Sequence, residues 1–213
     1  MAEPLKRLFT RDEYYALAEA GILKPEERVE LIEGEIYRMT PIGNRHAGCV
    51  TRLVDGFAPL LAAKRAMLSP HNPVFLSDVS EPQPDITLLC RHENHYAEDH
   101  PTPEDVLLLV EVADSSIGFD RHTKIPLYAL CGISEVWLVD INKEAVEIHR
   151  NPARNGYRIV LHFRRGDRIA PQAFPDFEIA VESILPELWR GSLYPAAQCR
   201  WNAVIHVLPP ADP

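Results

Sequence analysis

The chain has 213 residues, 46% of them apolar and 25% charged, with a formal net charge of −9. Those proportions belong to an ordinary globular protein long enough to bury a core, and the acidic balance argues against a general nucleic-acid coat, which is basic as a rule. No apolar run approaches the roughly 18 residues of a membrane helix, and Met1-Ala2-Glu3-Pro4 lacks the apolar segment of a signal peptide, so a cytoplasmic protein with no membrane partner is expected.

Thr10-Arg11-Asp12-Glu13 has the form of a capping box and predicts a short helix through Tyr14, Leu17 and Ala18, ending near Gly21. Val29–Ile32 and Glu35–Met39 flank Glu33-Gly34, the pattern of a tight hairpin. Asn44 is placed to cap a helix reaching about Lys64, on which His46, Val50, Leu53 and Phe57 share one face. Val74-Phe75-Leu76 reads as a strand, followed by strands over 84–89 and 106–113. The intervening stretch from Arg91 to Asp105 is rich in His, Glu, Asp and Pro, and it is long for a hairpin loop. A helix is predicted from Asp120 to Cys131, bent or capped by Pro126. Strands follow over 135–140, 145–149 and 157–163, the last with one wet face, and a final turn or short helix falls within 175–188. Residues 1–188 read as one domain with a mixed sheet flanked by helices, and 189–213 as an irregular tail. Cys49, Cys90, Cys131 and Cys199 form no CxxC pair and read as reduced thiols rather than disulfides or a zinc site.

Two of these strands each carry a carboxylate. Glu111 interrupts the apolar run Val106–Ala113, whose composition implies burial on both faces, and Asp85 follows Pro84 at the start of the preceding strand. Antiparallel pairing with Leu89 near Leu107 brings Asp85 opposite Glu111, with Cβ atoms about 4.5–5.5 Å apart on one face. Two carboxylates so close repel unless a proton or cation sits between them, and a divalent metal is the natural candidate. Taken singly, Glu111 at a wet strand end and Asp85 in a turn are equally ordinary. Asp120, Lys124 and Tyr128 lie four apart on the next helix; the residues alone leave open whether Lys124 faces the carboxylates or forms an exposed pair with Asp120.

The order Pro84-Asp85, then Glu111, then Lys124 resembles the PD-(D/E)XK nuclease superfamily. The wider text is similar to its Uma-type bacterial restriction-endonuclease branch: Val29–Glu35, Pro41 with His46, Glu111–Ser116, Asp120, Lys124, Tyr128-Ala129 and Gly132–Asp140, over roughly residues 10 to 188. The superfamily's lysine stands two residues after the glutamate, where this chain has Ala113; the Uma-type branch moves it to the following helix, which points to Lys124. The resemblance implies an α/β (α+β) restriction-endonuclease-like core and a metal-dependent DNA endonuclease, homodimeric like many relatives. It implies Mg²⁺ or Mn²⁺ on Asp85, Glu111 and the Val112 carbonyl, with Lys124 catalytic, and catalytic parts near the site for Glu30, holding a metal-bound water or second ion, and His46, contacting phosphate or assisting proton transfer. The alternative is a nuclease-like scaffold that binds nucleic acid or protein without cutting, to which Ala113 and the acidic charge lend weight. His92, His95 and His100 match no zinc spacing, and the arginines from Arg150 to Arg168 read equally as a phosphate-steering patch and as solvated hairpin faces.

Overall fold

The computed structural model describes residues 6–187; the irregular tail expected over 189–213 lies outside them. Helix α1 (Arg11–Glu19) begins on the expected capping box, with the Glu13 amide donating to Thr10 Oγ1 at 3.3 Å and the Thr10 amide to the Glu13 carboxylate at 3.1 Å. Strands β1 (Val29–Ile32) and β2 (Glu35–Arg38) form the expected hairpin, Ile32 opposite Glu35. Both turn residues are left-handed, Glu33 at φ 49° and Gly34 at φ 76°, which matches the strand twist in a two-residue hairpin. Gly34 is required on a second count, since a Cβ there would lie 2.5 Å from Leu8 Cβ.

Helix α2 spans Asn44–Ala62 and is capped one residue earlier than the sequence predicts: Gly43, not Asn44, holds the N-cap position, and no side chain caps the first turn. Six strands then form one mixed sheet in the order β3 (Met67–Pro70), β4 (Ile86–Leu89), β5 (Val106–Ala113), β6 (Glu135–Asp140), β7 (Ala145–Ala153) and β8 (Gly156–Arg164). Only β5 and β6 run parallel. The strand expected at Val74–Leu76 is absent, and Met67–Pro70 takes the sheet edge instead. The amides of Val74, Phe75 and Leu76 are drawn to the carbonyls of Pro82, Pro101 and Ser80, so tertiary partners hold that apolar triplet in a loop. Pro70 is tolerated because β3 is an edge strand.

The β5–β6 crossover is a single helical path in three pieces: α3 (Ile117–Phe119), a π turn (Asp120–Lys124) and α4 (Ile125–Leu130). The π turn departs from the regular helix expected over 120–131. Its cause is Pro126, which has no amide to donate and whose ring would crowd the His122 carbonyl, so the Ile125 amide reaches back five residues to the Asp120 carbonyl.

Helix α2 covers one sheet face, where Leu53 and Phe57 pack with Leu88, Val110, Trp137 and Val139. Helix α4 covers the other, where Ile125 and Tyr128 meet Leu109 and Leu138. Strands β5 and β6 are thus buried on both faces, which explains their nearly unbroken apolar text; each such side chain contributes roughly 1.5–3 kcal/mol on burial. Strand β8, expected to have one wet face, is mostly exposed, being the outer strand of the sheet among the described residues. A small ladder of β9 (Arg168–Ile169) and β10 (Ile179–Ala180) leads into α5 (Val181–Ile184), within the segment where a last helical turn is predicted.

Candidate active site

The β4–β5 register decides where the two strand carboxylates meet. Ile86 pairs with Val110 and Leu88 with Leu108, the expected alignment, before a bulge shifts Leu89 onto Val106 rather than Leu107. The bulge lies at the far end of β4, so it leaves the near end in register. Extending Ile86–Val110 by one step places Asp85 across from Glu111. Beyond that last pair the β4 ladder stops, and the Val112 amide donates to Asp85 Oδ2 at 2.8 Å instead of to a strand. Amide and carbonyl of one strand residue leave on the same edge, so the Val112 carbonyl also points to the Asp85 side.

Lys124 completes the group. Its Nζ lies 3.0 Å from Glu111 Oε1 and 3.1 Å from Glu30 Oε2, and all three side chains are almost fully buried. The π turn and Pro126 put Asp120 and Lys124 on the inner side of the crossover, and both are buried. The exposed Asp120–Lys124 pair is therefore not what forms: Asp120 accepts from Ser116 Oγ at 2.6 Å. Tyr128 donates its hydroxyl to Glu111 Oε1 at 2.5 Å. The same Oε2 of Glu30, from β1, also accepts from the Gln83 amide at 3.1 Å.

The electrostatics follow from this crowding. Burial raises the Glu111 carboxyl despite the pull of Lys124, and the charges of Asp120, Asp85 and Glu30 add to the rise. Burial likewise raises Asp120, to about 6, against Lys124 and the Ser116 hydroxyl. Burial alone would pull Lys124 down, but Glu111, Glu30 and Asp120 outweigh it and hold the ammonium charged. One ammonium thus serves several carboxyls, and the group carries an excess of negative charge in a half-enclosed cleft of about 400 Å³.

His46 projects from the first turn of α2 with Nε2 3.1 Å from the Asp85 carboxylate. Burial disfavours its charged form, but the hydrogen bond and charge of Asp85 prevail and raise its pKa. The site also holds residues that sequence reasoning missed. His71, left-handed at φ 53°, donates its amide to the Asp85 carbonyl at 3.2 Å, and its ring lies parallel to that of His46 with centroids 6.4 Å apart. Burial lowers its pKa. Nothing local marks His71. Gln83 does carry a signal: between Pro82 and Pro84 it owns the only amide donor of the three. Tyr128 reads as core and is buried, yet its hydroxyl makes it part of the site. Arg28 lines the cleft too.

Other candidates fall away from the cleft. His92 and His95 lie in an exposed loop, and His100 contacts the Tyr15 hydroxyl at 3.1 Å. Three of the six arginines of the basic stretch are held in ion pairs: Arg150 binds buried Glu135 at 2.8 Å, Arg165 binds Glu144 at 2.9 Å and Arg168 binds Glu178 at 2.7 Å. None of the three lines the cleft.

Comparison with known proteins agrees with this architecture. A crystal structure from Anabaena variabilis, described as a "putative nuclease", superposes with a TM-score of 0.65 at 18% identity, covering 83% of this chain and 97% of that one. At that identity the match speaks for the fold alone. No curated protein matches the chain. The family model described as "Putative restriction endonuclease", Uma2, matches residues 11–182, a span holding Glu30, His46, Asp85, Glu111 and Lys124. The chain belongs to the Uma2 family.

Proposed function

We propose that the cleft hydrolyses phosphodiester bonds in DNA with Mg²⁺ or Mn²⁺ as cofactor. The observation that carries this reading is the buried Lys124 ammonium, held 3.0 Å from Glu111 and 3.1 Å from Glu30 in a cleft that also presents Asp85. The donor chemistry fits a hard divalent ion. Asp85 and Glu111 supply carboxylate oxygens, and the excess negative charge is what a cation would offset. Among the described residues no three acidic, histidine or cysteine side chains form a ready-made metal group. A bound ion would therefore rest on Asp85, Glu111 and the Val112 carbonyl and keep waters for its remaining ligands, as Mg²⁺ usually does. When bound, the ion would act as a Lewis acid toward phosphate and water.

The chain's own residues do the rest. Lys124 offsets charge that builds on the phosphoryl oxygens as a water oxygen bonds phosphorus and the ester P–O bond breaks. Glu30 is a positioning residue, its carboxylate aiming Lys124 while the Gln83 amide, bonded to the same oxygen, holds it in place. His46 and the Val112 amide hold the Asp85 carboxylate from two sides. Tyr128 fixes Glu111 Oε1.

The test pairs cleavage of single-stranded and plasmid DNA with calorimetry. Wild-type protein should bind Mn²⁺ and cut DNA; Asp85→Ala should lose both, and Lys124→Ala should lose cleavage while retaining Mn²⁺ and a native circular-dichroism spectrum. Wild-type protein that takes up no divalent ion would end the enzyme reading and leave the non-cutting scaffold. Cleavage surviving Lys124→Ala would remove that residue from the mechanism.

A further inference from the structure

Two aromatic side chains line the cleft beside its acids. Tyr37 stands opposite Glu30 in the β1–β2 ladder and so shares its face of the hairpin. Phe119 immediately precedes Asp120. Their rings contact each other with centroids 4.8 Å apart at 48°, and both line the same cleft as Asp85, Glu111 and Lys124. Neither ring belongs to either core cluster, and both remain part-exposed. Tyr37 cannot swing freely, because its hydroxyl donates to Glu35 at 2.8 Å and Glu35 is held in turn by Lys6 at 2.7 Å. This part-exposed aromatic pair lines the cleft and takes no part in the core packing.

Arg28 supplies the complement. It lies two residues before Glu30 on the same ribbon, anchored where the Met39 amide donates to its carbonyl at 2.8 Å. It lines the cleft, and among the described residues its guanidinium has no carboxylate within ion-pair distance, whereas the arginines of α1, α2 and the π turn are paired. A free guanidinium, an aromatic face and a buried ammonium around a cleft of about 400 Å³ match the parts of one nucleotide: phosphate, base and reacting ester.

We infer that Phe119 and Tyr37 form a stacking subsite for a single unpaired nucleobase, with Arg28 on its phosphate, so that the substrate is DNA with an unstacked nucleotide rather than a perfect duplex. A stacked base pair keeps both faces covered by its neighbours and offers none to a side chain, whereas a single strand or an extrahelical nucleotide does. The ligand's identity as DNA rests on the nuclease reading; the geometry of the subsite does not.

The test measures binding without cleavage, by fluorescence polarisation in EDTA at low salt, on three labelled probes: a single strand, the perfect duplex, and that duplex with one unpaired nucleotide. Wild-type protein should prefer the single strand and the bulged duplex. Phe119→Ala should weaken both by about 5- to 150-fold, the range for loss of one base–aromatic stack, and leave the perfect duplex unchanged. Phe119→Trp should retain the preference, which guards against misreading a folding defect. Arg28→Ala should weaken all three. Equal affinity for the three probes, or loss with both Phe119 variants alike, would overturn the subsite. Cleavage of the single strand and the bulged duplex with Mn²⁺, measured separately, keeps the two readings apart: Phe119-dependent binding without cleavage sinks only the nuclease, and cleavage without that dependence sinks only the subsite.

Discussion

Replacing Lys124 by Met probes the centre of the site most directly, because Met nearly matches the volume and removes the charge. In the wild type the ammonium lies 3.0 Å from Glu111 and 3.1 Å from Glu30, with all three buried. Breaking a buried ion pair by removing one partner costs about 3–5 kcal/mol, because the remaining charge stays out of water without compensation. Two carboxylates share the loss here, which pushes towards the upper figure. Glu111 limits it, since its carboxyl is already raised by burial and can take up a proton once the ammonium is gone. We therefore expect Lys124→Met to lose about 3 kcal/mol in urea denaturation with EDTA present, and to lose measurably less in a Glu111→Gln background, where Glu30 alone is left stranded, as the double-mutant cycle requires of a coupled pair. Mn²⁺ should bind Lys124→Met at least as tightly as wild type, because the competing cation has left. A loss under about 1 kcal/mol, or one equal in both backgrounds, would show that the ammonium is not held by these carboxylates.

Asp120 sets a pH dependence. Its carboxyl is raised to about 6 in the fold, above the roughly 3.9 of an ordinary Asp, so the folded chain holds a proton between those values that the unfolded chain has lost. Stability therefore falls as pH rises through that window, and Asp120→Asn in EDTA should melt above wild type near neutrality, by at most about 3 kcal/mol, and equal it near pH 4. Gly34→Ala should destabilise by more than about 1–2 kcal/mol in chemical denaturation, the left-handed penalty alone, since the added Cβ also meets Leu8. Arg150→Met strands Glu135, which is fully buried and also takes the Trp137 indole at 2.7 Å, and should cost about 3–5 kcal/mol. Arg168→Ala breaks only a surface pair and should cost under about 1 kcal/mol with no change in DNA binding.

Much of this protein is determined locally, and that part is legible in its residues. The Thr10–Glu13 capping box, the Glu33-Gly34 turn and the burial of β5 all depend on short-range chemistry: reciprocal amide capping, a backbone that needs positive φ, and apolar text too continuous for a wet strand. The Asp85–Glu111 juxtaposition is legible only as one available register, since both strands are apolar on both faces, and the pairing of Ile86 with Val110 in the sheet is what selects it. What the chain could not announce are contacts made by partners far apart in sequence. The Val74–Leu76 triplet has strand composition but loses its amides to remote carbonyls. His71 and the Tyr128 hydroxyl reach the site only once α2, α4 and the sheet close around it, and the inward turn of Lys124 is set by a π turn beside Pro126. Sequence supplied the charged groups and their spacing; tertiary packing decided which of them share one dry space, and electrostatic energy is large only where water is shut out.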